Sequence, residues 1–217
     1  MPIGKLLKHP QASTALTGAL SGAAGGALVS AFTQKKSAKK LLKGAGLVAV
    51  GGLAWQAYQS YRQTRPVAAP TEPDIGAITQ QQFNAVVAPE QASSSILVVQ
   101  SMIAAAHADG HMTDAEQAQI WQHALESGLA ADELESLQYL LSTPLPVDHL
   151  AAACSDMATK IEVYTAALLV IDGACDAGKH YLSCLAAALA LPAPLVATLR
   201  QSCAPEAAEG QTPRLTA

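Results

Sequence analysis

"TKIEVYTAALLVIDGACDAGKHYLSCLAAALAL", residues 159 to 191, decides the fold class of this chain. It reads as an apolar helix, a break at Asp172-Gly173, and a second helix running to the prolines at 192 and 194. Thr159 and Glu162 stand at capping-box spacing, so the first helix is expected to open there, with Thr159 as cap and Glu162 as its returning partner. Such short helices joined by tight acidic corners point to an all-α bundle rather than to a sheet.

The same corner occurs earlier. "HADGHMTDA", residues 107 to 115, aligns with "VIDGACDAG", residues 170 to 178, so that Asp109-Gly110 matches Asp172-Gly173 and Asp114 matches Asp176 with one residue deleted. His107 and His111 have the spacing of two zinc ligands on one helix face, but Ala108 stands where a protease glutamate would be and Gly110 interrupts the helix. Gly110 and Glu116 match the second half of a calcium loop, yet Ala105 and His107 occupy its first and third ligand positions, which excludes an ordinary EF-hand. A structural role accounts for every residue. Gly110 supplies a left-handed turn, Thr113 caps the next helix, Glu116 completes its capping box, and Asp114 meets the positive helix end. A cation held by Asp109, Asp114, Glu116, Asp172 and Asp176 stays open as the alternative, with Lys179 weakening the second corner.

Outward from these corners the body spans about residues 93 to 203. "ILVVQSMIAAAHA" is apolar over most of a helix surface and is expected to be central, whereas Ile120, Trp121, Ala124 and Leu125 share one face of an amphipathic helix. "DELESLQYLLS", "VDHLAAACSDM" and "APLVATLRQSC" bring the total to about seven short helices, with Pro144, Pro146, Pro192 and Pro194 as separators.

Charge divides the chain in two. Residues 1 to 66 hold nine Lys and Arg and no acid, while residues 67 to 217 hold all seventeen acids and four bases. An acidic body repels phosphate backbones, so nucleic acid is not an expected partner. The basic head contains two candidate membrane spans. "ASTALTGALSGAAGGALVSAF", residues 12 to 32, is uncharged and long enough for a hydrocarbon core of about 30 Å, and Gly18, Gly22 and Gly26 form a small-residue stripe suited to close helix packing. "LLKGAGLVAVGGLAWQAYQSY", residues 41 to 61, carries Lys43 near one end and Trp55, Tyr58 and Tyr61 as an interfacial cluster at the other. Five lysines between them, at 35, 36, 39, 40 and 43, mark a cytoplasmic turn. With both segments spanning, or the second alone, the body emerges on the periplasmic side, which is the expected outcome; with the first alone, it stays cytoplasmic. The expected organisation is a membrane region over 1–63, a Pro/Gln-rich linker over 64–92, the helical domain over 93–203 and a flexible tail over 204–217.

"SMIAAAHADGHMTDAEQAQIWQHALESGL", "LSTPLPVDHLAAA" and the 162–192 stretch together resemble the YebE-type family of bacterial inner-membrane proteins, whose soluble part is similar to the TerB domain associated with tellurite resistance. The resemblance covers roughly residues 93 to 203. It implies a compact TerB-like helical domain, an inner-membrane location, acidic corner residues proposed for metal contact, and no established enzymatic activity.

Other chemistry finds little support in the residues. His123, His149 and His180 read as surface or cap positions. Cys154, Cys175, Cys184 and Cys203 form no C-x-x-C pair and read most simply as small buried hydrophobes, with pairing expected only in an oxidising compartment. There is no G-x-S-x-G frame and no phosphate-cradling glycine loop. The expected function is therefore non-enzymatic: a membrane-anchored helical module for interaction with an envelope protein or with itself, for instance in envelope stress. The alternative is a divalent-metal-responsive domain, and no other cofactor is expected.

Overall fold

The computed structural model describes residues 46–64, 75–83, 92–108, 110, 117–118, 121–122, 131–171 and 175–203. Within them lie α1 (Gly46–Thr64), α2 (Gln80–Phe83), α3 (Ala92–Ala108), α4 (Ala131–Ser142), α5 (Val147–Ala153), α6 (Met157–Val170), α7 (Asp176–Ala188) and α8 (Ala193–Cys203). The described residues contain helices and no strand.

Two helices without a polar face form the centre. Leu97 to Ala106 of α3 are all buried, and no residue of α6 is exposed. A helix apolar on all sides is stable only when neighbours surround it, and α6 is packed by α3, α1, α7, α8 and α2. Small side chains, Ala104 to Ala106 on α3 and Ala166 and Ala167 on α6, are among those buried there. The Ser101 hydroxyl of α3 donates to the Val163 carbonyl of α6 at 2.8 Å, a buried bond between the two helices.

The second candidate span is corrected by α1. Val50, Ala54, Ala57, Tyr58 and Tyr61 of that helix are buried in the domain core, at the spacing of one helix face, while Gln56, Gln59, Ser60, Arg62 and Gln63 are exposed. That is an amphipathic helix packed on α8 and α6. Among the described residues no helix is long and apolar enough to cross a membrane. Candidate span 12–32 lies outside the described residues, as does the tail from 204.

Part of the expected linker is also core. Phe83 of α2 is fully buried and meets Trp55 and Tyr58 at ring-centroid distances of 5.6 and 5.7 Å. The Tyr58 hydroxyl donates to the Gly76 carbonyl at 2.7 Å and accepts from the Ile78 amide at 3.0 Å, fastening the approach to α2 onto α1. The aromatic residues expected at a bilayer interface thus join α1 and α2 to the domain.

The turn between α7 and α8 carries backbone strain. Ala190 has φ of +54°, its amide bonds the Ala187 carbonyl, and the Leu191 amide bonds the Ala186 carbonyl. This is the hydrogen-bond pattern of a Schellman cap with alanine in the left-handed position that glycine favours. Ala190→Gly is expected to raise stability by about 1 kcal/mol, read as a higher denaturation midpoint; a lower midpoint would contradict the assignment.

Candidate functional site

The expected acidic corners fall largely outside the described residues, which contain neither Asp109, Asp114 and Glu116 nor Thr113 and Asp172. Gly110 has a φ of +73°, and its amide donates to the His107 carbonyl at 3.2 Å, closing the end of α3. Asp176 is exposed in the first turn of α7, where it accepts from Lys179 Nζ at 2.9 Å. Among the described residues no three His, Cys, Asp or Glu side chains converge on a point suited to a metal.

The capping box at Thr159 and Glu162 is replaced by a different cap. α6 begins after Asp156, whose Oδ1 accepts from the Thr159 amide at 2.9 Å and whose Oδ2 accepts from the Thr159 hydroxyl at 3.1 Å. An aspartate at this position satisfies an end amide and places negative charge at the positive helix end. Moving the start of the helix three residues upstream puts Thr159 inside the first turn and sends Glu162 into the core.

Glu162 is the unusual residue of the site. It is fully buried, and neither carboxyl oxygen has a hydrogen-bond partner. Burial pushes its pKa up to about 8, with the negative charge of Asp156 adding to the rise. A buried ionised carboxylate without a partner is costly, so the neutral acid is the favoured form at neutral pH. Gly51 of α1 shares this junction. A Cβ there would collide with the Phe83 carbonyl oxygen and lie 3.0 Å from Glu162 Oε1, whereas Gly52 has open space around it. Helices α1, α2 and α6 therefore meet at one small polar spot: Glu162, the Phe83 carbonyl, and a helix flank that must lack a side chain.

Two further features lie on α7 and α8. An open groove of about 680 Å³ runs between them, with Ala186, Ala190, Leu191 and Val196 along it and Ser183 and Arg200 at its polar positions. Arg200 Nε donates to the Tyr164 hydroxyl at 3.2 Å, fixing the guanidinium beside α6. Cys184, expected to be buried, is exposed and lies 3.6 Å from His180 Nε2. Cys154, Cys184 and Cys203 are free thiols, and burial holds those of Cys154 and Cys203 up at about 11 and about 12.

The described residues thus define an all-helical protein whose most distinctive polar group is a buried acid at a three-helix junction. The chain belongs to a family described as "Protein of unknown function (DUF533)", which matches residues 14–203. No curated protein and no solved structure matches it.

The raised pKa of Glu162 has a signed consequence for stability. Below about pH 4.5 the acid is neutral in both folded and unfolded chains, and its burial adds no pH-dependent cost. As pH rises from there to about 8, the unfolded chain releases the proton that the folded chain keeps. Stability then falls, by up to about 1.4 kcal/mol per pH unit, and levels off once the folded-state acid ionises. Glu162→Gln is expected to flatten this slope and to stabilise the protein most on the alkaline side. Denaturant midpoints across pH check it; parallel wild-type and variant curves would refute it.

Proposed function

We propose that this protein is a non-enzymatic helical module tethered to the bacterial inner membrane by its N-terminal segment, where it associates with itself or with another membrane protein. The observation that carries this reading is the packing of α1 into the domain core. The described part of the body reaches back to Gly46, so that thirteen residues separate it in sequence from the uncharged stretch that ends at Phe32. Those thirteen residues contain five lysines and no acid, a composition attracted to anionic lipid headgroups. The resemblance of residues 93–203 to the TerB domain adds to the reading, with α1 and α2 as extra elements of the same bundle.

The packing of α1 also bears on orientation. A periplasmic body required the second candidate segment to cross the bilayer, and that segment is largely a domain helix. With residues 12–32 as the single span, the lysine-rich interval lies beside the domain, and the positive-inside rule favours the cytoplasmic face for both.

Two measurements test the proposal. In a variant retaining only Cys184, a membrane-impermeant maleimide is expected to label inverted inner-membrane vesicles and to leave intact spheroplasts unlabelled; labelling in spheroplasts would place the domain on the opposite face. Recovery in the soluble fraction would remove the tether altogether. Replacing Gly18, Gly22 and Gly26 by leucine is expected to reduce crosslinked dimers in membranes at least about tenfold, the loss of roughly 1.4 kcal/mol of association. An unchanged dimer yield would assign self-association to another surface.

A further inference from the structure

We propose that Glu162 is a proton-operated latch: its neutral carboxyl, buried beside the Phe83 carbonyl oxygen at the Gly51 flank, lets α2 close over α1 and α6, and its ionisation releases α2 from the rest of the domain.

The geometry of the junction supports each part. A neutral carboxyl has one O–H donor, whereas an ionised one only accepts. Phe83 contributes a carbonyl acceptor on the same side-chain-free flank of Gly51 that Glu162 Oε1 faces. Ionisation removes the donor and leaves two acceptors and a buried negative charge in one place, an arrangement that requires water. The thinnest cover over the acid is α2, a helix of four residues whose anchor is Phe83. Phe83 rests on Trp55 and Tyr58 of α1, and Tyr58 in turn binds Gly76 and Ile78 ahead of α2. α2 is therefore held to the domain through Phe83, with Tyr58 fastening the residues ahead of it.

What remains is a core that keeps α1 packed on α8 and α6 and does not depend on the one-turn α2. α6 keeps its packing with α3, including the bond from Ser101 to Val163, and keeps α7 on another side. The Asp156 cap at its N-terminus is likewise untouched.

No cation on the surrounding helices is placed to neutralise the acid. His107 of α3 is bonded to the Leu141 carbonyl, Lys179 of α7 to Asp176, and Arg200 of α8 to Tyr164. Arg62 of α1 is exposed, α2 has no titratable side chain, and Tyr58 of α1 is bonded to Gly76 and Ile78. α1 also carries Tyr61, α7 His180, Tyr181 and Cys184, and α8 Cys203; among the described residues the charge that acts on the Glu162 carboxyl is the like charge of Asp156. Among the described residues the acid thus responds to protons without competition from an ion pair.

Trp55 is a natural reporter because it sits on Phe83. In the full-length chain carrying Trp121→Phe, Trp55 emission is followed from about pH 6 to about pH 10, together with far-ultraviolet ellipticity. The expected result is a red shift with a midpoint near 8, most of the helical signal being kept, and no shift in Glu162→Gln. Gly51→Ala is expected to be red-shifted already at neutral pH, and Gly52→Ala to follow the wild type. A wild-type emission that does not move, or the same transition in Glu162→Gln, would overturn the latch. So would complete loss of ellipticity along with the shift, since that is global unfolding. These readouts use the soluble signal of the domain and are independent of whether the head enters a membrane.

Discussion

Everything in this fold depends on covering α6. A fourteen-residue helix with no exposed position cannot persist in water by propensity alone, because its apolar surface has to be removed from solvent on every side. α3 supplies the largest cover and is itself buried over ten consecutive residues. Neither helix could be the outer layer of anything. The amphipathic α1, α7 and α8 therefore form the surface, each turning a narrow apolar stripe inward: Val50, Ala54, Ala57, Tyr58 and Tyr61 on the first, Leu182 and Leu185 on the second, Leu195 and Leu199 on the third.

Burial on all sides also dictates what polar groups α6 can carry. Thr165 returns its hydroxyl to the Ile161 carbonyl, Thr159 donates to the Asp156 cap, and the Tyr164 hydroxyl accepts from Arg200. Each is a local solution available to a short or amphipathic side chain. Glu162 has none: neither oxygen has a donor, and Oε1 faces the Gly51 flank of α1. Its energetic cost is avoided by keeping the proton, which makes the junction dependent on pH in a way that the surrounding leucines and valines are not.

The central place of α3 was legible in the sequence because the mostly apolar run over 96–106 covers most of a helix surface, and α6 was legible as an apolar helix though not as the most covered one. α1 was misread for a physical reason. Glycine, alanine and valine at its start, a nearby lysine, and aromatic residues toward its end imitate a membrane span, but Gln56, Gln59, Ser60, Arg62 and Gln63 leave it one apolar stripe instead of an apolar cylinder. The cap of α6 was misplaced because two capping patterns overlap there, Asp156 with Thr159 and Thr159 with Glu162. The signal that would have separated them is the apolar residue on either side of Glu162, which marks an acid inside a buried face rather than at a helix end. Phe83 and its one-turn helix had no periodicity to reveal them, and only tertiary packing defines their place.

α1 now has two roles that pull on the same residues. It joins the lysine-rich head to the domain, and it covers the buried acid through a glycine that no other residue can replace without displacing Phe83. Gly51 and Gly52 are adjacent and identical in chemistry, yet one faces a carbonyl and a carboxyl while the other faces open space. The difference is purely one of helix face. It follows that the cover over the acid is concentrated in a contact of very few atoms, where the loss of one proton changes the hydrogen-bonding character of the junction without altering the packing that holds α3 to α6.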